Sequence, residues 1–393
     1  MKLKNFEFKS LVSDIKKISG KTSLHEPILN GNEAKYLKKC IQSGYISTHG
    51  GKYLDKLIKN LKQITNTKFI FPVINATNGL YIILKALGVD STHEVLVPSM
   101  TFVGTVAPIA YLNAAPHFID IEKEYLGIDV QKLDMYLSKN TKKKRNNHIY
   151  NIKTGKIIKY IINVHTFGHP SNMDQILKLT KKYNLQLIED SAEALGSYYK
   201  KKHVGNFGIA SILSFNGNKI ITTGGGGAIL TNNKKLFKKI KHISSTAKIV
   251  KKSEYWKFLH DDVGYNFGLP NILAAIGCAQ LEKLNLYLKI KRLMKDKYTQ
   301  ALNKYEYFNV FSEKKFCKSN YWLQTLVLKK KYSFLQKHIL KYTNSIGLVT
   351  RRPWELISTL KPYKRYPKMN LENSKILLNT LINIPSTPNL KLK

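Results

Sequence analysis

Residue types that would indicate disulfides, a metal centre or sequence-specific nucleic-acid binding are scarce in this chain. Its 393 residues include only three cysteines, and their wide separation fits neither a disulfide framework nor a zinc site. Arginine occurs only five times beside a formal net charge of +40, so the positive charge is mostly lysine, spread along the chain. The cysteine pattern leads us to predict no metal. Because proteins that bind nucleic-acid phosphates and guanine depend on arginine, we also predict no nucleic-acid partner. We interpret the charge as a lysine-rich surface.

Uninterrupted apolar runs are absent as well. No stretch approaches the roughly 18 apolar residues of a membrane-spanning helix, and lysines recur through the segment 1–20, which leaves no apolar core for a signal peptide. We therefore predict a cytoplasmic protein without membrane insertion. A chain of this length exceeds what one core usually serves, and we divide it into an N-terminal extension (1–25), a large domain (26–270) and a small C-terminal domain (271–393).

The middle of the chain alternates short apolar stretches with amphipathic ones, which indicates an α/β fold with a mostly parallel sheet and helices on its faces. Leucine and isoleucine residues between positions 80 and 87 share one helical face, and Gly88 follows as a helix stop. Pro72 predicts an edge or a bulge for the first strand, the lysine-rich segment 142–156 predicts a hairpin, and 271–295 predicts a helix leading into a smaller α+β domain. Seven strands are predicted, at 69–74, 94–97, 117–121, 159–164, 185–188, 209–215 and 227–231.

Lys219 is the most informative residue. It ends the run Ser214-Phe215-Asn216-Gly217-Asn218-Lys219 and is closely followed by four consecutive glycines, a composition typical of a loop that approaches a ligand. Upstream, Asp190 ends a predicted strand, at the sheet edge where α/β proteins bind ligands. A lysine and a carboxylate are what pyridoxal phosphate requires, one to hold its aldehyde and one to keep its ring nitrogen protonated. We predict Lys219 and Asp190 as catalytic residues; the alternatives are a solvated lysine and a helix N-cap.

Further cofactor contacts follow from the same hypothesis. The segment Asn75-Ala76-Thr77-Asn78-Gly79 joins the first strand to a helix beginning near Leu80, and backbone amides at a helix start bind phosphate, although a plain turn with Thr77 as N-cap fits equally. Ser214 would add a hydroxyl to the phosphate. Phe102 would stack on the pyridine ring, unless it belongs to the core. His165 follows another predicted strand and would border the cofactor.

These motifs resemble the DegT/StrS family of pyridoxal-phosphate-dependent nucleotide-sugar aminotransferases over nearly the whole chain. The likeness is most specific at Glu189-Asp190, at Ser214 to Lys219 with the glycines, and at Gly264-Tyr265-Asn266. Within the family, the chain is most similar to the branch that acts on 4-keto-6-deoxy sugars for legionaminic-acid or bacillosamine-type glycans. The resemblance implies a fold-type I aminotransferase, a homodimer with shared active sites, and transfer of nitrogen from glutamate to C4 of a nucleotide-linked keto sugar.

The resemblance also implies roles for individual residues. Phosphate contacts would come from Thr77, Asn78, Ser214 and the neighbouring subunit's Asn266, ring contacts from Phe102 and Glu193, and substrate contacts from His165, Arg351 and the loop 45–50 through Ser47 and Thr48. The chain departs from the family pattern at Glu193, Gly225 and Gly268, where many members have glutamine or histidine, glutamate, and arginine. Two alternatives stay open, a dehydratase of the same fold, against which Lys219 argues, and a regulatory or binding protein without turnover.

Overall fold

A mixed sheet flanked by helices forms the centre of the structure, a computed structural model that describes residues 7–48, 50–145, 147–249 and 256–392. The strands are β1 (Phe69–Val73), β2 (His93–Pro98), β3 (Ala115–Ile119), β4 (Thr141–Lys143), β5 (Ile149–Asn151), β6 (Ile157–Val164), β7 (Gln186–Asp190), β8 (Tyr198–Tyr199), β9 (Lys202–His203), β10 (Ala210–Ser214), β11 (Gly227–Thr231), β12 (Lys248–Ile249), β13 (Leu259–His260), β14 (Phe308–Val310), β15 (Cys317–Lys318), β16 (Gln324–Leu328) and β17 (Leu381–Ile384). The α-helices are α1 (Phe8–Ser19), α2 (Glu33–Gln42), α3 (Lys52–Thr65), α4 (Ala76–Leu87), α5 (Val103–Tyr111), α6 (Val130–Asn140), α7 (Met173–Tyr183), α8 (Lys234–Ser244), α9 (Asn271–Leu302), α10 (Leu335–Ser345) and α11 (Glu372–Thr380).

Seven strands of the described chain run side by side in the order β1-β11-β10-β7-β6-β2-β3. The five from β10 to β3 are parallel neighbours, and β11 runs antiparallel to its two neighbours, β1 and β10. The predicted α/β class and mostly parallel sheet are therefore confirmed, and β4 and β5 extend the seven predicted strands to a nine-stranded sheet. Register places Val164 beside Asp190, and Asp190 beside Ile212, so the carboxyl ends of three strands meet at one edge.

Local predictions around this sheet are mostly confirmed. β1, which contains Pro72, lies at the edge of the sheet, and segment 142–156 forms the hairpin β4–β5, which pairs with β6. The start of α4 was predicted wrongly. The helix begins at Ala76, because the side chain of Asn75 accepts the Asn78 amide at 2.8 Å and caps the helix there. Thr77 is therefore inside the first turn and is not the N-cap.

The long helix α9 connects two hydrophobic cores. Its first half packs with α3 and β10 through residues such as Cys278, and its second half, including Met294, packs with the antiparallel sheet β14-β16-β17, the predicted smaller α+β region. Leu11 and Ile15 of α1 lie in this second core, so the N-terminal segment packs with the C-terminal region. The domain limits given above remain our proposal. Among the described helices, none has the length and apolar character required to cross a membrane.

Asp120, just after β3, ties the two regions together. Its carboxylate is fully buried and accepts the Ser374 amide at 2.8 Å, the Ser374 hydroxyl at 2.6 Å and the Asn373 amide at 3.0 Å. Lys132 Nζ lies 3.2 Å from the same group. The carboxylate therefore caps the start of α11 from across the boundary between the two regions.

We expect Asp120→Ala to lower the free energy of unfolding by about 2–4 kcal/mol, because three donors lose their buried acceptor. Asp296→Ala on α9 is the control, since its carboxylate is exposed in its pair with Lys295 and such pairs contribute about 0.2–1 kcal/mol. Urea unfolding of both variants measures the difference. Equal losses would contradict the role of Asp120.

Candidate active site

A cavity of about 420 Å³ opens where the parallel strands end. Val164, Asp190 and Ser214, the last residues of β6, β7 and β10, all line it. The starts of α4 and α5 contribute further lining residues, and the C-terminal region adds Trp322 and Arg351. The cavity is therefore built from the central sheet and the C-terminal region, at the edge where α/β folds bind ligands.

Asp190 lies in this cavity with both carboxylate oxygens engaged. Thr105 Oγ1 donates to Oδ2 at 2.7 Å, and the Ala192 amide donates to Oδ1 at 3.0 Å. Thr101 Oγ1 lies 2.8 Å from the Thr105 hydroxyl and holds it in place. Burial raises the pKa of Asp190, while the two donors and the charge of Lys219 act against that rise. A positive group bound in the cavity would therefore stabilise the carboxylate.

The ε-amine of Lys219 enters the same cavity beside a second carboxylate. Its Nζ is 3.1 Å from Glu193 Oε1, and Glu193 Oε2 accepts the Phe167 amide at 2.8 Å. Phe167 has a left-handed backbone conformation with φ 55°, a strained state that is found preferentially at functional sites. Burial raises the pKa of Glu193, and the charge of Lys219 acts against it. One lysine and two buried acids thus share a single cavity.

The start of α4 gives the cavity an anion-binding end. Asn75, Ala76 and Thr77 line it, and the first amides of a helix have no partner within the helix and favour negative charge. Ser214 contributes a hydroxyl beside them. A Cβ at Gly227 would lie 2.6 Å from the Leu213 carbonyl oxygen and 3.1 Å from the Ala76 nitrogen, so glycine lets β11 pass this close to the start of α4. The chemistry of this end fits a phosphate.

Aromatic residues and one arginine complete the lining. Phe102, directly before α5, is 55 % exposed, so its ring is accessible to a flat ligand. The Trp354 ring lies 5.2 Å from that of Phe167, and Trp322 lies against Lys219. Burial lowers the pKa of the Arg351 guanidinium, and the charge of Glu193 acts against that fall. Because Arg351 is exposed and lines the cavity, its guanidinium is a cation available to an anionic substrate.

Most predicted site residues meet in this cavity, namely Lys219, Asp190, Thr77, Phe102, Glu193, Ser214 and Arg351. Asn78 does not line it, and its amide donates to the Asn75 side chain at 2.8 Å. His165 lies behind it and is fully buried: Nε2 is 3.1 Å from Glu189 Oε2, and Nδ1 accepts the Ser171 amide at 3.2 Å. We predicted His165 beside the substrate, and its position instead supports the ends of β6 and β7.

Three predicted contacts lie elsewhere on the chain. The Ser47 carbonyl accepts the Asn271 amide at 2.9 Å, near the start of α9, and Thr48 lies beside Gly268, whose added Cβ would be 3.3 Å from that of Thr48. Asn266 pairs its backbone with residue 245. Residue 49 of the predicted loop is outside the described residues. The resemblance implies that Asn266 reaches the cavity of a neighbouring subunit.

Comparison with known proteins decides the family. The profile of the DegT/DnrJ/EryC1/StrS aminotransferase family matches residues 27–393. The chain belongs to this family. It is 34% identical to GDP-perosamine synthase of Escherichia coli O157:H7, over 93% of each chain, and 33% identical to the putative pyridoxal phosphate-dependent aminotransferase EpsN of Bacillus subtilis (strain 168), over 78% of this chain and 75% of that one.

Two further comparisons agree. The chain is 31% identical to UDP-4-amino-4,6-dideoxy-N-acetyl-beta-L-altrosamine transaminase of Campylobacter jejuni, over 88% of this chain and 87% of that one. Its fold matches Helicobacter pylori PseC, an aminotransferase involved in pseudoaminic acid biosynthesis, with a TM-score of 0.83, 24% identity and coverage of 94% and 95%. The protein is therefore an aminotransferase of this family, and its cofactor is pyridoxal phosphate.

The cavity fits the cofactor of the DegT/DnrJ/EryC1/StrS family. The carboxylate of Asp190 suits a protonated ring nitrogen, the amine of Lys219 suits an aldehyde, and the start of α4 with Ser214 suits a phosphate. The open side of Phe102 suits an aromatic ring. These donors are already in place in the structure.

Sequence reasoning missed several residues of this site. Thr105, which holds Asp190, has a weak local signal, since it lies one turn beyond Phe102 in α5. Trp322 has none, because it is an aromatic residue equally well explained as core, whereas Trp354 has a weak signal in its place three residues after the predicted Arg351. Their contacts with the cavity depend on how the C-terminal region packs onto the sheet.

We expect Asp190→Asn to stabilise the cofactor-free protein increasingly as the pH rises. Because burial raises the pKa of Asp190, its contribution to stability is present at low pH and is lost as the pH rises through the raised value. The variant removes that loss, by about 1.4 kcal/mol for each unit by which the pKa is raised. Thermal unfolding between about pH 4 and about pH 8 measures it.

Asp174→Asn is the control with the opposite sign. Its hydrogen bond to Lys200 lowers the pKa of Asp174, so this carboxylate contributes stability above its unfolded pKa, and only weakly because the pair is exposed. We expect its substitution to cost a little at neutral pH and nothing in acid. The same pH trend in both variants would contradict the assignment.

Proposed function

We propose that the protein transfers an amino group from glutamate to C4 of a nucleotide-linked 4-keto-6-deoxy sugar, in the cytoplasm and for surface-glycan assembly. The observation that carries the proposal is the convergence of Lys219, Asp190 and the start of α4 on one cavity. The sugar substrate is supported by the names of the relatives, a perosamine synthase and a 4-amino-4,6-dideoxy sugar transaminase.

Each residue of the cavity has a task in this reaction. Bound pyridoxal phosphate supplies an electron-withdrawing ring that stabilises negative charge on the carbon losing its proton. Asp190 would keep the ring nitrogen protonated, and the Lys219 amine would hold the aldehyde and move the proton. Glu193, 3.1 Å from Lys219 Nζ, is the nearest acceptor for the proton that this ammonium must lose before it can attack. One lysine serves both half-reactions, which makes the kinetics ping-pong.

The substrate end of the cavity is cationic and aromatic. Arg351 lies there with Trp354, and a guanidinium binds carboxylate or phosphate through paired hydrogen bonds. The α-carboxylate of glutamate and the diphosphate of a nucleotide sugar both have this chemistry. An aromatic ring offers a face to the apolar side of a sugar. We propose Arg351 as the contact to the anionic group of each substrate in turn.

A homodimer with shared sites is part of the proposal. The segment that leads to Asn266 exposes Trp256, Phe258 and Val263 by 61 %, 73 % and 70 %, and such apolar surfaces mark protein contacts. Tyr45, next to Ser47, is 67 % exposed. These two segments suit a second copy of the chain, which would bring Asn266 to the phosphate end of the neighbouring cavity.

The activity is tested with glutamate and a panel of nucleotide-linked keto sugars, read by product mass. We expect an amino sugar from the wild type and at least about a thousandfold loss in Lys219→Ala, since the residue that moves the proton is removed. Lys235→Ala, on the exposed face of α8, is the matched control and should retain full activity. Undiminished transfer in Lys219→Ala would refute the assignment, as would a wild type that takes up no cofactor.

Shared sites are tested by mixing two inactive variants, Lys219→Ala and Asn266→Ala. If the sites are shared, a mixed dimer contains one site with both original residues, and random exchange returns about a quarter of the wild-type activity. Residual activity of each variant alone provides the baseline. Activity that never exceeds the average of the two parents would mean that each subunit builds its site alone.

A further inference from the structure

The Lys219 ammonium lies on the face of a tryptophan. Its Nζ is 3.9 Å from the centre of the Trp322 ring, well within the roughly 6 Å at which a cation is attracted to an aromatic face. Glu193 occupies another side of the same amine at 3.1 Å. The lysine therefore has two electron-rich neighbours, of which only the carboxylate can accept a proton.

Trp322 is held in place at both its ring and its backbone. The indole Nε1 donates to the Asn218 carbonyl at 2.7 Å, in the residue directly before the lysine. The Trp322 amide donates to Asn320 Oδ1 at 2.8 Å, and the Asn320 side-chain amide donates to the Glu193 carbonyl, also at 2.8 Å. Trp322 is 2 % exposed. The position of the indole is thus fixed relative to both Lys219 and Glu193.

A second lysine, fully buried, fixes the segment that carries the indole. Lys291 Nζ, on α9, donates to the carbonyls of Trp322 at 2.9 Å, Tyr321 at 3.3 Å and Ser386 at 2.6 Å. Ser386 Oγ lies 3.0 Å away. Burial lowers the pKa of Lys291, and these carbonyl partners offset part of the cost of placing an amine in the interior. Three carbonyls from two chain segments converge on one nitrogen.

We propose that Trp322 and Lys291 position the catalytic lysine: the indole face binds the Lys219 ammonium whenever that amine has no covalent partner, and Lys291 fixes the indole. The inference rests on the proposed role of Lys219. An amine displaced by the amino donor must stay close to the reacting carbon, since misplacement by about 1 Å can cost about a hundredfold in rate. An aromatic face suits this purpose because it attracts the ammonium and releases the neutral amine.

Fluorinated tryptophan at position 322 tests the interaction without changing its shape. Ring fluorination withdraws charge from the face and weakens cation binding, while the indole N–H stays in place as a donor to the Asn218 carbonyl. In the cofactor-free full-length protein at about pH 8, we expect Lys219 to be acetylated progressively faster from one to three fluorines, reaching about three- to tenfold. Lys235 in the same digest serves as the internal reference. An unchanged ratio of the two rates across the series would overturn the proposal.

Lys291→Met tests the second half. We expect Lys219 acetylation to rise about as much as with the most fluorinated ring, and the effect of fluorination to disappear in this background, because the indole no longer lies under the amine. Lys289→Met, an exposed position on the same helix, is the control. If Lys291 only stabilises the fold, its variant will lose melting temperature and still respond to fluorination.

The two proposals fail in different ways. Formation of an amino sugar from glutamate and a nucleotide-linked keto sugar, read by product mass, reports on the proposed function. Acetylation of Lys219 in the cofactor-free chain reports on the tryptophan. If no amino sugar forms but Lys219 acetylation rises with each added fluorine, the proposed function fails and the contact between Trp322 and Lys219 stands. If the amino sugar forms and the acetylation rate does not change with fluorination, the contact fails and the proposed function stands.

Discussion

Buried negative charge is the constraint on which the rest of this site depends. Asp190 and Glu193 lie in one cavity, and burial raises the pKa of both carboxyl groups. Each therefore requires donors, and these come from distant parts of the chain: Thr105 in α5 for Asp190, and the Phe167 amide with Lys219 for Glu193. The need to satisfy two acids specifies how the strand ends, α5 and the lysine loop meet.

The same requirement extends to the C-terminal region. Trp322 and Arg351 reach the cavity from beyond α9, so the charge environment of Lys219 is complete only when that region is packed against the sheet. Asp120 provides one fixed contact between the two, through the start of α11. Packing of the C-terminal region and the chemistry of Lys219 are therefore physically coupled, because Trp322 contacts the amine only when that region is packed against the sheet.

Sequence alone was sufficient for what short-range patterns determine. The strands have period-two or continuous apolar character, and the loop with Lys219 and the turn after Asp190 carry their signals within a few residues. The start of α4 was wrong, because Asn75 and Thr77 are both good caps and only the backbone geometry separates them. Trp322 was out of reach, because its contact with Lys219 joins residues about a hundred positions apart through packing of the C-terminal region.

Lysine itself shows how far composition can mislead. A net charge of +40 describes the surface, where solvent and salt screen charges beyond a Debye length of about 8 Å. The electrostatics of the cavity depend instead on a few charged groups at contact distance from one another. Lys291 is buried and bonded to backbone carbonyls, which the number of lysines in the chain does not predict. Surface lysines thus affect how fast an anionic substrate arrives and how strongly salt slows it, while the buried groups determine the chemistry. Because surface charge and buried charge act separately, a very basic chain can contain an aminotransferase site made of one lysine and two buried acids.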